Sequence, residues 1–316
     1  MTDHAGHDRA EAILGERRQL TGIAYRLLGS LAEAEDAVQE AYARWYAMSP
    51  ARQADIVSPG AWLTTVTSRI CLDLLGSARA RRERYVGEWI PEPLPETDWT
   101  SGATATGPAD PADRVTLDES VRMAFLVAIE AMTPAQRVAL ILHDVFSYSF
   151  AEIAGITGRT PAACRELASS ARRRIRTAGT PAVPTAHQAG LVRDFKQAWE
   201  ARDIGGLVGL LDPDATFTAD GGGVVRAALH PIEGGERIAR YVLDLVGATA
   251  ATALTLVERT VNGQPGLLLQ RHGDLVGVYA FDVAGDRITR IWAVRNPDKL
   301  RPWQVSPTGE ADGEGE

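Results

Sequence analysis

Residues 149–176 read SFAEIAGITGRTPAACRELASSARRRIR, and this stretch decides the architecture around it. Ser149 stands three residues before Glu152, a capping box that opens one helix. Gly155 to Arg159 make a short turn, and Thr160 followed by Pro161 caps a second helix with proline at its first position. On that second helix Cys164, Leu167, Ala168, Ala171 and Ile175 recur at helical spacing and form its packing stripe. The opposite face carries Arg165, Ser169, Arg172 and Arg176. A short helix, a tight turn and a longer helix give the spacing of a helix-turn-helix, whose second helix enters the major groove N-terminal end first. Arg165 lies near that end, within reach of base edges. The cluster Arg172, Arg173, Arg174 and Arg176 suits phosphates, which position rather than specify. A solvated basic face on an ordinary helix pair is the plainer alternative; caps, turn and arginine stripe together favour DNA.

Upstream, Val121, Phe125, Ala128 and Ile129 form another stripe, and Thr133 with Gln136 makes a further capping box with proline at the first position. The first segment is helical too. Leu20, Ile23, Ala24, Leu27 and Leu28 share a face; Ser30 with Glu33 starts a second helix; Ser58 before Pro59 starts a third. The second helix turns Val38, Ala41, Tyr42 and Trp45 inward and an acidic surface of Glu33, Glu35, Asp36 and Glu40 outward. The third runs through Trp62, Leu63, Val66, Ile70 and Leu74 into Arg69 and the cluster Arg79, Arg81, Arg82 and Arg84. On charge alone these are two solvated faces.

Composition first argues against nucleic acid. The chain has 316 residues and a formal net charge of −8. Its 33 basic residues include only two lysines, Lys196 and Lys299; the rest are arginine, the bidentate reader of phosphate and guanine. Through residue 185 the count is 20 basic against 23 acidic, so the helical part is near neutral with its charges segregated. Weak net attraction to DNA fits a protein that binds nucleic acid only with help. Two distant cysteines, Cys71 and Cys164, exclude a disulfide scaffold and suit a reducing cytoplasm. The polar start is no signal peptide, and no run of about 18 apolar residues crosses a membrane.

Two linkers divide the chain. Val86 to Arg114 holds Pro91, Pro93, Pro95, Pro108 and Pro111, a composition expected to be flexible and to bury no core; residues 179–185 are a shorter one. The expected parts are helical domains at 1–85 and 112–178, separated by the linker 86–111, then a third domain at 186–303 and a disordered tail from 304. The third domain opens with helices near 186–202 and 204–211. Strands follow near 252–261, 267–271, 276–283 and 287–294, with a helix at 234–246 and a hairpin turn at Ala284-Gly285-Asp286. This predicts an α+β domain with a curved antiparallel sheet. Trp199, Trp292 and Trp303 read as core or domain-contact residues.

Glu35-Asp36-Ala37-Val38-Gln39-Glu40, then Trp62-Leu63, Asp73 and the arginine cluster resemble sigma region 2. Leu140 to Asp144, Tyr148 to Ala154 and the arginine-rich final helix resemble sigma region 4, in the order found in extracytoplasmic-function sigma factors. Tyr85 to Pro93 (YVGEWIPEP), Asp220-Gly221-Gly222-Gly223 and Asn296-Pro297-Asp298-Lys299-Leu300 resemble three motifs of the subgroup with a fused C-terminal SnoaL-like domain, except that Val224 stands where lysine is usual. The resemblance implies two all-α sigma domains plus an α+β SnoaL-like (nuclear transport factor 2-like) cone. It also implies a promoter-selecting subunit of RNA polymerase rather than an enzyme, with no cofactor and no metal.

By that resemblance Glu35, Asp36, Gln39 and Glu40 bind core polymerase at the β′ clamp helices, with the β flap as a further partner. Ile56, Ser58, Trp62, Arg69, Arg79, Arg81 and Arg82 serve the −10 element. Thr160, Arg165, Ser169, Arg172, Arg173 and Arg176 serve the −35 element. Asp220, Gly221, Gly222, Gly223, Asn296, Pro297, Asp298, Lys299 and Leu300 dock the third domain on the sigma modules or the linker, and its pocket is a candidate for an unknown small ligand. A free-standing helix-turn-helix regulator and a SnoaL-type enzyme fused to a DNA-binding module are the competing readings. The second would need an acid or base such as Asp220, His230 or His272 aimed into the cone.

Overall fold

The computed structural model describes residues 3–82, 85–95, 116–178, 184–247 and 254–304; side chains are described from residue 16, and those of 78–82, 177–178 and 246–247 are not. The first domain is built on α1 (Asp3–Leu28), α2 (Leu31–Tyr46), α3 (Pro50–Ala54) and α4 (Pro59–Arg82). The caps sit where the sequence places them. Ser30 Oγ accepts from Glu33 N, and Ser58 Oγ accepts from Ala61 N at the head of α4. Ala34, Ala37, Val38, Ala41 and Trp45 bury one face of α2. The short α3, capped by Ser49, is an addition to the expected elements.

The next helices are α5 (Leu117–Val121), α6 (Met123–Glu130), α7 (Pro134–Leu140), a π-helical turn at Ile141–Val145, α8 (Phe150–Thr157) and α9 (Pro161–Ala178). The stripe expected to be one helix breaks at Arg122, whose ψ of 141° is extended. The boxes at Thr133/Gln136 and Ser149/Glu152 are both complete. Gly158, at φ +67°, ends α8 in the left-handed conformation that a tight turn requires.

These two helical groups share one hydrophobic core. It runs without a break from Leu20, Trp45 and Ile70 to Leu126, Val138, Ile153 and Ala168. Two buried arginines reinforce the joint. Arg26 of α1 donates to Ser120 Oγ at 2.6 Å and to the Leu117 carbonyl at 3.1 Å. Arg137 of α7 donates to the Leu27 carbonyl at 2.7 Å and pairs with Glu130 at 2.8 Å. Burial lowers both guanidinium pKa values to about 10.

The third domain comprises α10 (Thr185–Glu200), α11 (Ile204–Leu210), β1 (Leu211–Asp220), β2 (Ile232–Glu233), α12 (Gly235–Gly247), β3 (Leu254–Val261), β4 (Gln264–Arg271), β5 (Asp274–Ala284), β6 (Arg287–Val294) and a 3-10 turn at Pro297–Trp303. Its six strands run in the order β2-β1-β6-β5-β4-β3. One expectation changes here: the sheet is mixed, because β1 pairs with β6 in parallel. A parallel neighbour needs a crossover rather than a hairpin, and β2, α12, β3, β4 and β5 all intervene between the two.

The middle of β5, Gly277 to Phe281, and the end of β6, Ile291 to Val294, are apolar and buried at every position, which signals burial on both faces. Tyr279, Phe281, Ile291 and Ala293 point inward to Phe195, Trp199 and Phe217. Val278, Ala280, Trp292 and Val294 point outward and pack with Ile90 of the linker and Met123 of α6. The outer face of the sheet therefore rests on the sigma-like part of the chain.

The linker corrects a second expectation. Ile90 and Leu94 are fully buried, and Pro91, Glu92 and Pro93 are buried with them. A proline-rich segment makes no internal hydrogen bonds, so burial demands that its backbone find other partners. It finds them on the third domain and on the first. Ile90 N donates to Asp220, Glu92 N to the Gly29 carbonyl and Leu94 N to Asn262. The carbonyls of Ile90, Glu92, Pro93 and Leu94 accept from Lys299, Tyr25, Trp303 and the Asn262 N–H. The remaining linker residues to 115, and the tail from 305, lie outside the described residues.

Candidate nucleic-acid and polymerase interfaces

Glu35, Asp36, Gln39 and Glu40 are all exposed on the outer face of α2. Its buried alanines set this geometry, since they rotate every acidic position of the run away from the core. Glu40 pairs with Arg44 one turn on, at 2.9 Å.

The loop before α4 presents Val57, which is completely exposed, while Ile56 is half-buried against the core. Val57 lies within the loop before Trp62, and an apolar side chain fully in water marks it out beside Ile56 and Ser58. Ser58 caps α4. Trp62 lies edge-on to Trp45 at 5.3 Å between ring centroids, so the loop stands on a rigid aromatic base. Arg69 points elsewhere than expected for an open DNA face. Its Nη2 donates to the Gly155 carbonyl at 2.7 Å, and its Nε to the Ile156 carbonyl at 3.4 Å. These carbonyls sit at the C-terminal end of α8, where a cation meets the negative pole of the helix. Tyr148 adds a second tie, its hydroxyl donating to Thr64 at 3.0 Å. The backbone of α4 reaches Arg79, Arg81 and Arg82, whose side chains lie outside the described residues.

On α9, Thr160 caps the N-terminus by accepting from Ala163 N at 3.2 Å. Arg165, Ser169, Arg173 and Arg176 are exposed along one side of the helix. The Arg165 guanidinium lies 5.3 Å from the centre of the Phe150 ring, whose own ring stacks on His143 at 3.9 Å. Arg172 turns inward. Its Nε and Nη2 grip the two Asp144 oxygens at 2.7 and 2.8 Å. Asp144 is buried, and a buried carboxylate demands such a partner. Arg174 is tied to the Ala131 carbonyl at 2.8 Å. The outward row thus takes Arg173 where the helical wheel had put Arg172.

A third cluster joins the linker to the C-terminal domain. Asp220 is fully buried and its carboxylate accepts four hydrogen bonds: from Tyr85 Oη at 2.6 Å, Lys299 Nζ at 2.7 Å, Gly222 N at 3.0 Å and Ile90 N at 3.1 Å. Lys299 also donates to the Ile90 carbonyl, and its ammonium lies 4.1 Å from the Trp89 ring centre. Asn296 donates to Tyr85 Oη at 2.8 Å and caps the turn that carries Pro297, Asp298, Lys299 and Leu300. Burial, then the Asp220 contact, pushes the Tyr85 phenol well above its ordinary range. Gly221 and Gly222 are space requirements: a Cβ on the first would lie 2.3 Å from the Val225 carbonyl oxygen, and on the second 2.5 Å from the Asn296 amide. Gly223 faces Val86 in the same way, and Leu300 belongs to the outer-face core of the sheet.

Of the acid–base candidates, Asp220 is held in this cluster, while His230 and His272 are exposed. An open crevice of about 460 Å³ on this domain is lined by Val208, Leu211, Pro213, Arg237 and Arg287, away from all three. Among the described residues, no helix is long and apolar enough to cross a membrane.

Two family descriptions fit these helical parts: Sigma-70 region 2 over residues 13–81, and Sigma-70, region 4 over residues 122–175. The ECF RNA polymerase sigma factor SigJ of Mycobacterium tuberculosis is 38% identical, over 93% of this chain and 95% of its own length. The chain belongs to the ECF sigma factors. The probable ECF RNA polymerase sigma factor SigI of the same species is 35% identical over 96% of this chain and 99% of its own. The crystal structure of SigJ superposes with a TM-score of 0.68, covering 93% of this chain and 98% of that one at 33% identity. The superposition takes in the C-terminal SnoaL-like domain along with both sigma domains. As an ECF sigma factor the protein binds core RNA polymerase and promoter DNA and directs promoter-specific initiation.

Proposed function

We propose that this sigma factor is held closed by its own C-terminal domain, and that opening sets its activity. The observation that carries this is Arg69, a −10 residue of region 2, bonded to the end of a region 4 helix. The −10 and −35 elements lie about 25 base pairs apart, or roughly 85 Å of duplex. Two modules that share one core cannot reach both elements at once. In the open form, Glu35, Asp36, Gln39 and Glu40 meet the β′ clamp helices, and region 4 meets the β flap. Ile56, Ser58, Trp62 and Arg69, with Val57 at the tip and Arg79, Arg81 and Arg82 beyond, serve the −10 element. Melting there requires a pocket for an extruded base. Thr160, Arg165, Ser169, Arg173 and Arg176 serve the −35 duplex, with Arg172 holding the helix in place. The C-terminal domain acts as a regulator, not an enzyme, in the cytoplasm; a small ligand in its crevice is one route for a signal.

The closed form is fastened by the Asp220–Lys299 pair, which ties Tyr85 and Ile90 to the C-terminal domain. Replacing both partners, Asp220→Asn with Lys299→Met, removes the ion pair without stranding a charge. Expected is higher promoter-dependent transcription in vitro at limiting core polymerase. Equal activity of the variant and the parent protein at every core concentration defeats the closed-state reading.

A further inference from the structure

We propose that the β3–β4 hairpin is a second fastening of the closed form, with Asn262 as a pin that joins region 2, the linker and region 4. This rests on the closed-state reading above, and deepens it. A hairpin tip of sequence Asn-Gly ordinarily stands in water, where left-handed backbone is its only demand. Asn262 has that backbone, with φ +51°, yet it is 1% exposed. Its side chain is inserted among the sigma elements. Nδ2 donates to Tyr25 Oη of α1 at 2.9 Å and to the Val121 carbonyl at the end of α5, also at 2.9 Å. Oδ1 accepts from Leu94 N of the linker at 3.1 Å, and the Asn262 N–H returns a bond to the Leu94 carbonyl at 2.9 Å. Tyr25 Oη then donates to the Glu92 carbonyl at 2.7 Å, closing the circuit.

One amide thus uses both donors and its acceptor on three parts of the chain, the nearest 141 positions away in sequence. Only a carboxamide does this: aspartate lacks the donors, and a hydrocarbon lacks both. The side-chain bonds are specific to what surrounds Asn262 and unnecessary for the turn, which asks only for left-handed backbone at residues 262 and 263. The two fastenings also hold different things. The Asp220–Lys299 cluster grips Tyr85 to Ile90, whereas the pin grips Leu94 and, through it, both sigma domains. Each contributes to the stability of the closed form, so loosening either one shifts the balance toward the open form.

The test uses full-length Asn262→Gly and Asn262→Asp. Glycine keeps the left-handed backbone and the N–H bond to Leu94, so only the side-chain bonds go. Hydrogen exchange read by mass spectrometry should run at least about tenfold faster over residues 90–95 and 117–122 in both variants. Exchange across β3 to β6 should keep the rates of the parent, and transcription with core polymerase should rise. Unchanged exchange at 90–95 and 117–122 overturns the pin. Loss of protection throughout β3 to β6 also overturns it, because Asn262 is then a folding residue of its own domain. Faster exchange at those two segments with unchanged transcription upholds the pin and defeats the closed-state reading instead.

Discussion

The arginines of the outer row of α9 and those at the joint between regions 2 and 4 are the same residue put to opposite uses. Arg165, Arg173 and Arg176 stand in solvent along one side of a helix. Arg26, Arg137 and Arg172 spend their donors on carbonyls, a hydroxyl and carboxylates inside the protein, while Arg69 reaches from an exposed position to two carbonyls of α8. A guanidinium brought out of water needs several partners at fixed angles, and only a neighbour that supplies them makes its burial tolerable. Asp144, Glu130 and the carbonyls of Leu27 and Leu117 are such neighbours. In the closed form proposed above, the outer row of α9 keeps its face to solvent, while Arg69, though exposed, is engaged by the end of α8.

The contrast breaks most sharply at Arg172. Replacement by alanine strands the buried Asp144 carboxylate and is expected to cost about 3–5 kcal/mol of stability. Thermal unfolding of the full chain reads this directly, and a melting temperature within a degree of the parent protein would place Arg172 with the outer row instead. Arg165→Ala should do the reverse: unchanged unfolding, with −35-dependent initiation reduced by about 1–3 kcal/mol, roughly 5- to 150-fold, as for loss of one base-reading pair. Competition transcription on promoters differing only at the −35 element measures it, and equal preference would remove Arg165 from the reading set. The smallest effect is expected where the ion pair is exposed on both sides. Arg44→Ala, which breaks the pair with Glu40, should change stability by less than about 0.5 kcal/mol in the same unfolding assay.

What the sequence made legible was local. The boxes at Thr133 and Ser149, the proline starts at Pro59, Pro134 and Pro161 and the stripe of α9 all rest on neighbours within a few positions, and all form as read. What it hid depends on distant partners. Arg172 lies on the helical face that the wheel assigns to solvent; only the fold brings Asp144, 28 positions away, beneath it. Strand β1 went unread because Asp212, Pro213 and Asp214 look like a loop, and its register indeed slips between Leu211 and Thr216. Asn262-Gly263 reads as an ordinary turn, since nothing near it in sequence reveals Tyr25 or Val121 above it. The motifs Asp220–Gly223 and Asn296–Leu300 did stand out, and the fold brings them together around Tyr85. The linker was misjudged for the same reason as Arg172: prolines withhold internal hydrogen bonds but accept external ones.

That linker has a mechanical side. Tyr85 to Pro95 lie pinned between three domains, contributing nothing to the span between regions 2 and 4 while they stay there. Fully extended, those residues measure about 35–40 Å. Unfastening them pays out a length of tether comparable to the width of a domain, so the same event that frees Arg69 from α8 also lengthens the leash on which region 4 travels. Reach along the promoter and access to its −10 element are then one variable, drawn from a single spool.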